Sequence, residues 1–232
     1  MRRLIFPLLL GLSGVAVLLS LGIWQVQRLD WKRDILAGIE ARLAANPVAL
    51  PVAPTEEQDE YRVVTLTGMP QGPELHVLTS GTAAGTGYRV ISGFDMADGR
   101  RVLVDHGLLP LEMKDDPAPV YVDKQINVVG SLLWPDDANS ATPEPDLGKN
   151  IWFARDVAAM SEALGSEPTL VVISQSSQPD ARLTALPVDT SNIKNDHREY
   201  AITWFLLALV WAAMSGYLIV RTLRGERAEK GK

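Results

Sequence analysis

The 232-residue chain carries 22 Lys and Arg against 28 Asp and Glu, a formal net charge of −6, and no cysteine. That balance argues against a nucleic-acid partner, since polyanion binding rests on clustered basic charge, and the missing thiols exclude disulfides, thiolate metal sites and a cysteine nucleophile. The mean hydropathy of +0.05 averages over an uneven chain whose apolar residues gather at its two ends.

The first element, residues 4–23 (LIFPLLLGLSGVAVLLSLGI), contains no charge. At about 1.5 Å per residue a run of this length crosses about 30 Å of hydrocarbon, which predicts a transmembrane helix. A signal peptide has an apolar stretch of about 7–15 residues ending at a small-x-small cleavage site. This run is longer and flows into WQVQRLDWK, so it is expected to remain as an anchor. Residues 25–45 keep good helix formers, and the Pro-rich NPVALPVAP at 46–54 ends that helix.

Runs rich in Val, Ile, Thr and Tyr follow, bounded by Gly or Pro: YRVVTLTG (61–68), ELHVLT (74–79), GYRVISGF (87–94), RRVLVDHG (100–107) and QINVVGSLLW (125–134). Each predicts a strand. Residues 136–150 form a polar loop. ARDVAAMSEALG (154–165) places Val157, Met160 and Leu164 on one helical face, with Gly165 as its stop, and TLVVIS (169–174) is a further strand. Residues 200–220 (YAITWFLLALVWAAMSGYLIV) are again free of charge and predict a second transmembrane helix. The expected fold class is α+β: two transmembrane helices, N- and C-terminal, flanking one mostly antiparallel β-rich domain with a late helix. Closure of the sheet into a barrel is left open by the pattern.

Orientation follows from basic residues near the spans. Arg2 and Arg3 precede the first; Arg221, Arg224, Arg227, Lys230 and Lys232 follow the second; residues 25–199 hold 15 basic and 26 acidic side chains. The expected order is a cytoplasmic tail at 1–3, a transmembrane helix at 4–23, a periplasmic domain at 24–199, a second transmembrane helix at 200–220 and a basic cytoplasmic tail at 221–232. No Arg- and Ser-rich amphipathic leader precedes the first span, which favours a bacterial inner membrane.

Enzymatic constellations are poorly supplied. GTAAGTG (81–87) lacks a following Lys-Ser/Thr and is followed by a strand, so it reads as a hairpin loop rather than a phosphate cradle. Asp105 and His106 are neighbours on a strand and point to opposite faces, which disfavours a dyad. No serine sits in a G-x-S-x-G context. His76, His106 and His197 show no metal-ligand spacing. His76 and His106 are therefore expected to be structural, and no catalytic residue is assigned.

The rims of the two spans differ from the rest. Trp24, Arg28 and Trp31 recur at i, i+4 and i+7; His197, Tyr200, Ala201 and Trp204 at i, i+3, i+4 and i+7, one helical stripe each. Ala201, Ala208 and Ser215 form a small-residue seam, and Gly11, Gly14 and Gly22 give small sites on the first span, so the two spans are expected to pack side by side. An aromatic belt with snorkelling cations accounts for the Trp, Tyr, Arg and Lys residues, but less well for an imidazole. A flat, apolar, dianionic ligand with a central metal suits the set: imidazole is a common haem-iron ligand, Arg28 or Arg198 can pair with propionates, and Trp24 and Trp204 can flank the macrocycle.

LGIWQVQRLDWK (21–32), GYRVISGF (87–94), VLVDHGLLP (102–110), NIWFARDVAAM (150–160) and DHREYAITWF (196–205) together resemble the successive signatures of the Surf1/Shy1 family. The resemblance runs over essentially the whole chain and implies a non-enzymatic factor in biogenesis of the haem a-containing cytochrome c oxidase. It implies transient haem a binding, with the histidine before the second span, here His197, as iron ligand, and a W-Q-x-x-R motif at Trp24, Gln25 and Arg28. With Tyr200 and Trp204 these form the expected cofactor-binding set. The expected partners are oxidase subunit I, haem a synthase and the lipid bilayer. The alternative is a cofactor-free scaffold for oxidase assembly intermediates. The chain departs from the family where Val-Asn-Arg-Gly-Trp is common, reading Val104-Asp105-His106-Gly107-Leu108, and where Pro-Phe is usual, reading Gly93-Phe94.

Overall fold

The computed structural model describes residues 2–121, 125–191 and 193–230, with side chains described between Ile5 and Arg224. The side chains of Arg2, Arg3, Arg227, Lys230 and Lys232, on which the expected orientation leans, lie outside that description. Two compact units result: residues 1–38 with 191–232, and residues 39–190.

The first unit is built from two helices, α1 (Arg2–Leu43), whose last turn belongs to the second unit, and α4 (His197–Lys230), numbered with the elements of the second unit between them. Both contain stretches long and apolar enough to cross a membrane, and only 11% and 6% of those stretches are buried. Side chains such as Phe6 (73% exposed) and Leu209 (67%) present apolar surface that water would not tolerate over such a length. Hydroxyls along the helices turn inward: Ser20 donates to the Ala16 carbonyl at 2.7 Å and Thr203 to the Glu199 carbonyl at 2.9 Å. This satisfies them without water.

The second unit contains β1 (Val48–Ala49), α2 (Glu56–Asp59), β2 (Val63–Thr82), β3 (Gly85–Met96), β4 (Arg101–Pro110), β5 (Ile126–Leu133), α3 (Val157–Leu164) and β6 (Leu170–Ser176). Strand β2 pairs with β3, β3 with β4, β4 with β6, β6 with β5, and β5 again with β2. The sheet therefore closes into a five-stranded barrel, with β1 added alongside β2. Only the β4–β6 pair within the ring is parallel. Closure, left open by the sequence, removes the free edges that an open sheet would present.

Strand β2 makes the closure possible. The sequence predicts two strands, 61–68 and 74–79, broken by GMPQGP; the structure runs them as one 20-residue strand. Its first part pairs with β5 and its second with β3, and Gly68 belongs to both pairings. A Cβ at Gly68 would sit 2.1 Å from the Asp95 carbonyl oxygen, so only glycine permits the close approach where the strand changes partners. The breaker-rich stretch becomes a register shift between Gln71 and Leu75.

All five barrel strands contribute to one core, including Val64, Leu66, Phe94, Val102, Val104, Ile126, Val128, Leu132 and Val171. On the outer face, Met160 and Leu164 of α3 pack with Leu75, Val77, Ile91, Leu103, Leu170 and Trp152. Both faces of β4 are thus buried, which explains its unbroken apolar run. Helix α3 begins where Asp156 accepts the Ala159 N–H at 3.0 Å and ends at Gly165 in a left-handed conformation (φ 60°), the stop its sequence predicts.

Candidate functional site

Helices α1 and α4 pack antiparallel through small residues. A Cβ at Gly11 would meet the Ser215 Cβ at 2.9 Å; one at Gly14 would fall 2.1 Å from the Trp211 indole nitrogen; one at Gly22 would lie 2.6 Å from the Phe205 ring. Ala201 and Ala208 are 4% and 3% exposed. As α1 is followed forward, its partners on α4 run backward, ending with Gln25 against His197. This is the end where both apolar runs give way to charged sequence. Glycine and alanine let the backbones approach, the close packing by which helices associate where apolar burial gives no gain.

At that rim His197 is the first residue of α4, where the Asp196 carbonyl accepts the N–H groups of Glu199 (3.1 Å) and Tyr200 (3.2 Å). The His197 ring nitrogen Nδ1 lies 2.8 Å from the Gln25 side-chain oxygen, and Gln25 is buried. One step outward, Lys32 donates to the Lys194 carbonyl, a second polar link between α1 and the segment leading into α4. The Arg28 guanidinium lies 3.8 Å from the Trp31 ring centroid, a cation–π contact. Trp24 and Tyr200 remain 52% and 56% exposed, and Trp204 is half-buried.

Of the six residues expected from the sequence, the helix pair thus brings His197 and Gln25 into direct contact. Trp24 and Arg28 share the flank of α1 beside Gln25, and Tyr200 and Trp204 lie along the His197 stripe. Two apolar hollows on the pair lie away from this rim: one of about 220 Å³ between Phe6, Leu10 and Trp211, Met214, and one of about 330 Å³ between Gly14, Val17 and Trp211. Helical striping alone, which follows Trp24, Arg28 and Trp31, misses Gln25 as a contact residue. A signal was present: Gly11, Leu18 and Gln25 recur every seven residues, the same spacing as the Ala201, Ala208 and Ser215 seam, and Gly11 lies against Ser215.

The family model described as the SURF1 family matches residues 12–209, a stretch holding both His197 and Gln25 and the whole second unit. This chain belongs to the SURF1 family. Among curated SURF1 relatives it is similar to Surfeit locus protein 1 of Homo sapiens, 30% identical over 230 residues covering 89% of this chain and 74% of that protein. It is similar also to Surfeit locus protein 1 of Takifugu rubripes, 29% identical with 86% and 91% covered. A bacterial relative, the SURF1-like protein of Rickettsia felis, is 27% identical with 87% and 91% covered.

The remaining two histidines of this SURF1-family chain sit in the barrel unit. His106 Nε2 is 2.8 Å from the Ser92 hydroxyl, and burial depresses its pKa against the opposing pull of Asp105. The Asp105 carboxylate does not orient that ring: it is fully buried, takes the Arg89 guanidinium as partner and accepts the Gly107 N–H at 3.1 Å. His76 is buried beside the Tyr88 ring (centroids 5.7 Å apart), with Nε2 3.7 Å from Glu74. Arg182 ties Glu74 (2.7 Å) to Asp180 (2.8 Å). Among the described residues no group of three or more His, Asp or Glu side chains is arranged to hold a metal ion.

Proposed function

We propose that this chain is a membrane-anchored assembly factor for the haem a-containing cytochrome c oxidase. It holds haem a transiently at the outer rim of its helix pair and aids insertion into subunit I, the cargo arriving from haem a synthase. The single observation that carries the reading is the contact between a partly buried His197 and the buried Gln25, which stations an imidazole at the rim of two apolar helices. The side chains around it suit such a cargo. Imidazole ligates haem iron, Trp24 and Tyr200 keep about half their surface free for an aromatic plane, and Arg28 supplies a cation for a propionate. Iron ligation is the chemistry the haem supplies. The chain's own residues bind, orient and release it, so no bond-making step and no enzymatic activity are assigned. An open rim with one imidazole favours exchange over permanent retention.

The same reading places both termini in the cytoplasm of a bacterial cell and residues 24–199 in the periplasm. It is supported by the basic tails and by the excess of 26 acidic over 15 basic residues between the spans. The lipid bilayer is the standing partner, and nucleic acid is not one.

A second reading, a cofactor-free scaffold for oxidase assembly intermediates, draws on the same contact, because a hydrogen bond between membrane helices also serves as a tether. Purification of wild type and His197→Ala from cells making haem a separates the two. The carrier reading predicts a haem a spectrum in the wild type that is largely lost in the variant. Equal haem in both, or none in either, favours the scaffold.

A further inference from the structure

We infer that Gln25 sets the tautomer of His197, holding the proton on Nδ1 so that Nε2 carries the lone pair offered to a metal. The consequence for ligation rests on the haem-holding reading; the premise lies in the helix pair itself. A glutamine side-chain oxygen has lone pairs and no proton to give. In the 2.8 Å contact between His197 Nδ1 and Gln25 Oε1 the ring must therefore donate. A neutral imidazole has one N–H, and with that proton committed to Gln25 its other nitrogen is left as an acceptor or ligand. The opposite arrangement, with the glutamine amide donating to Nδ1, would put the proton on Nε2 and close the ring to metal.

The environment suits a fixed tautomer. Gln25 is 8% exposed, and Leu29 and Ala201, on the same face of their helices one turn beyond Gln25 and His197, are 8% and 4% exposed. Little water reaches the amide to compete. A histidine that ligates a metal through one nitrogen characteristically donates its other N–H to an oxygen, which fixes the ring's orientation and raises its basicity. Gln25 is thereby a positioning residue that acts through His197.

The test uses the full chain in detergent micelles with 15N-labelled histidine. Its three histidines are assigned by His76→Gln and His106→Gln. The nitrogen spectrum is expected to show His197 protonated at Nδ1 and bare at Nε2. Gln25→Met, of similar length but without an acceptor, is expected to release the ring toward the Nε2–H form, and Gln25→Glu to keep the proton on Nδ1. In the second arm iron protoporphyrin IX is added. Gln25→Met is expected to weaken uptake roughly 10–100-fold and to lower the ferrous iron–imidazole stretching frequency, while Gln25→Glu raises that frequency. A wild type protonated at Nε2 overturns the inference whether or not porphyrin binds, as does a Gln25→Met variant unchanged in both tautomer and stretch. A wild type with the proton on Nδ1 that takes up no porphyrin upholds the tautomer and removes the haem-holding reading instead. The wild-type spectrum decides the tautomer even if Gln25→Met folds poorly.

Discussion

Three histidines in one chain are put to different uses by their surroundings. His197 meets one oxygen at the rim of the helix pair. His76 and His106 are enclosed in the barrel unit, where Glu74, Asp180 and Arg182 supply the nearby charges. Burial pushes the His106 pKa below its ordinary 6.5; Asp105, Glu74 and Asp180 pull it up but do not prevail, and Arg182 adds to the lowering. The unfolded chain therefore binds the proton before the folded one does. The neutral imidazole's contribution to stability is whole above about pH 6.5 and is lost as pH falls from there toward the folded value. Glu74 is pulled up by burial, but His76 and the Arg182 guanidinium outweigh that and hold it below its ordinary 4.5. Its contribution is present above pH 4.5 and is lost on further acidification. Melting of the full chain in detergent, followed against pH, is expected to show a fall in Tm beginning near pH 6.5 that flattens in His106→Gln. An unaltered slope in that variant would remove His106 as its source.

At the scale of elements, the helix pair makes the sharper prediction. Because the chain has no native cysteine, Gly11→Cys with Ser215→Cys reads the packing on a clean background. The Cβ atoms, 2.9 Å apart when one is built at Gly11, need only a small separation to reach the roughly 3.8 Å of a disulfide, and efficient oxidative cross-linking is expected. Adding Gly14→Leu drives a side chain into Trp211 and is expected to cost the pair about 1–3 kcal/mol, read as a several-fold lower cross-link yield. The seven-residue spacing of Ala201, Ala208 and Ser215 made the α4 side of this seam legible in the sequence, since close helix contact demands small residues. The matching Gly11, Leu18 and Gln25 series was hidden behind the more conspicuous Trp24–Arg28–Trp31 stripe, which the structure turns toward an Arg28–Trp31 contact. Strands bounded by clear turns, such as β3, β5 and β6, and the capped helix α3 were readable from composition and spacing. The continuity of β2 was not, because Gly68, Pro70 and Gly72 read locally as a break. Only the pairing of Gly68 with both Met96 and Ile126 shows why the chain runs on. Closure of the barrel depends on that non-local pairing and left no local mark.

The whole molecule divides its labour between a closed barrel, stabilised by its own core without disulfides, and a helix pair whose exposed apolar surface suits lipid. The barrel unit holds internal ion pairs such as Arg89–Asp105 and Arg182–Glu74, whereas the helix pair leaves aromatic surface uncovered around one imidazole. On the proposed function, cargo binding falls to the helix pair and, within it, to one side chain. With only three histidines in the chain, three single variants exhaust the imidazole ligands. Titration of haem into the detergent-solubilised full chain is the direct measurement. Wild type, His76→Gln and His106→Gln are predicted to bind alike, with His197→Ala weaker by more than the roughly 10–100-fold that loss of an outer-shell partner costs. Undiminished binding by His197→Ala, or a loss that follows His76 or His106 instead, would contradict the account.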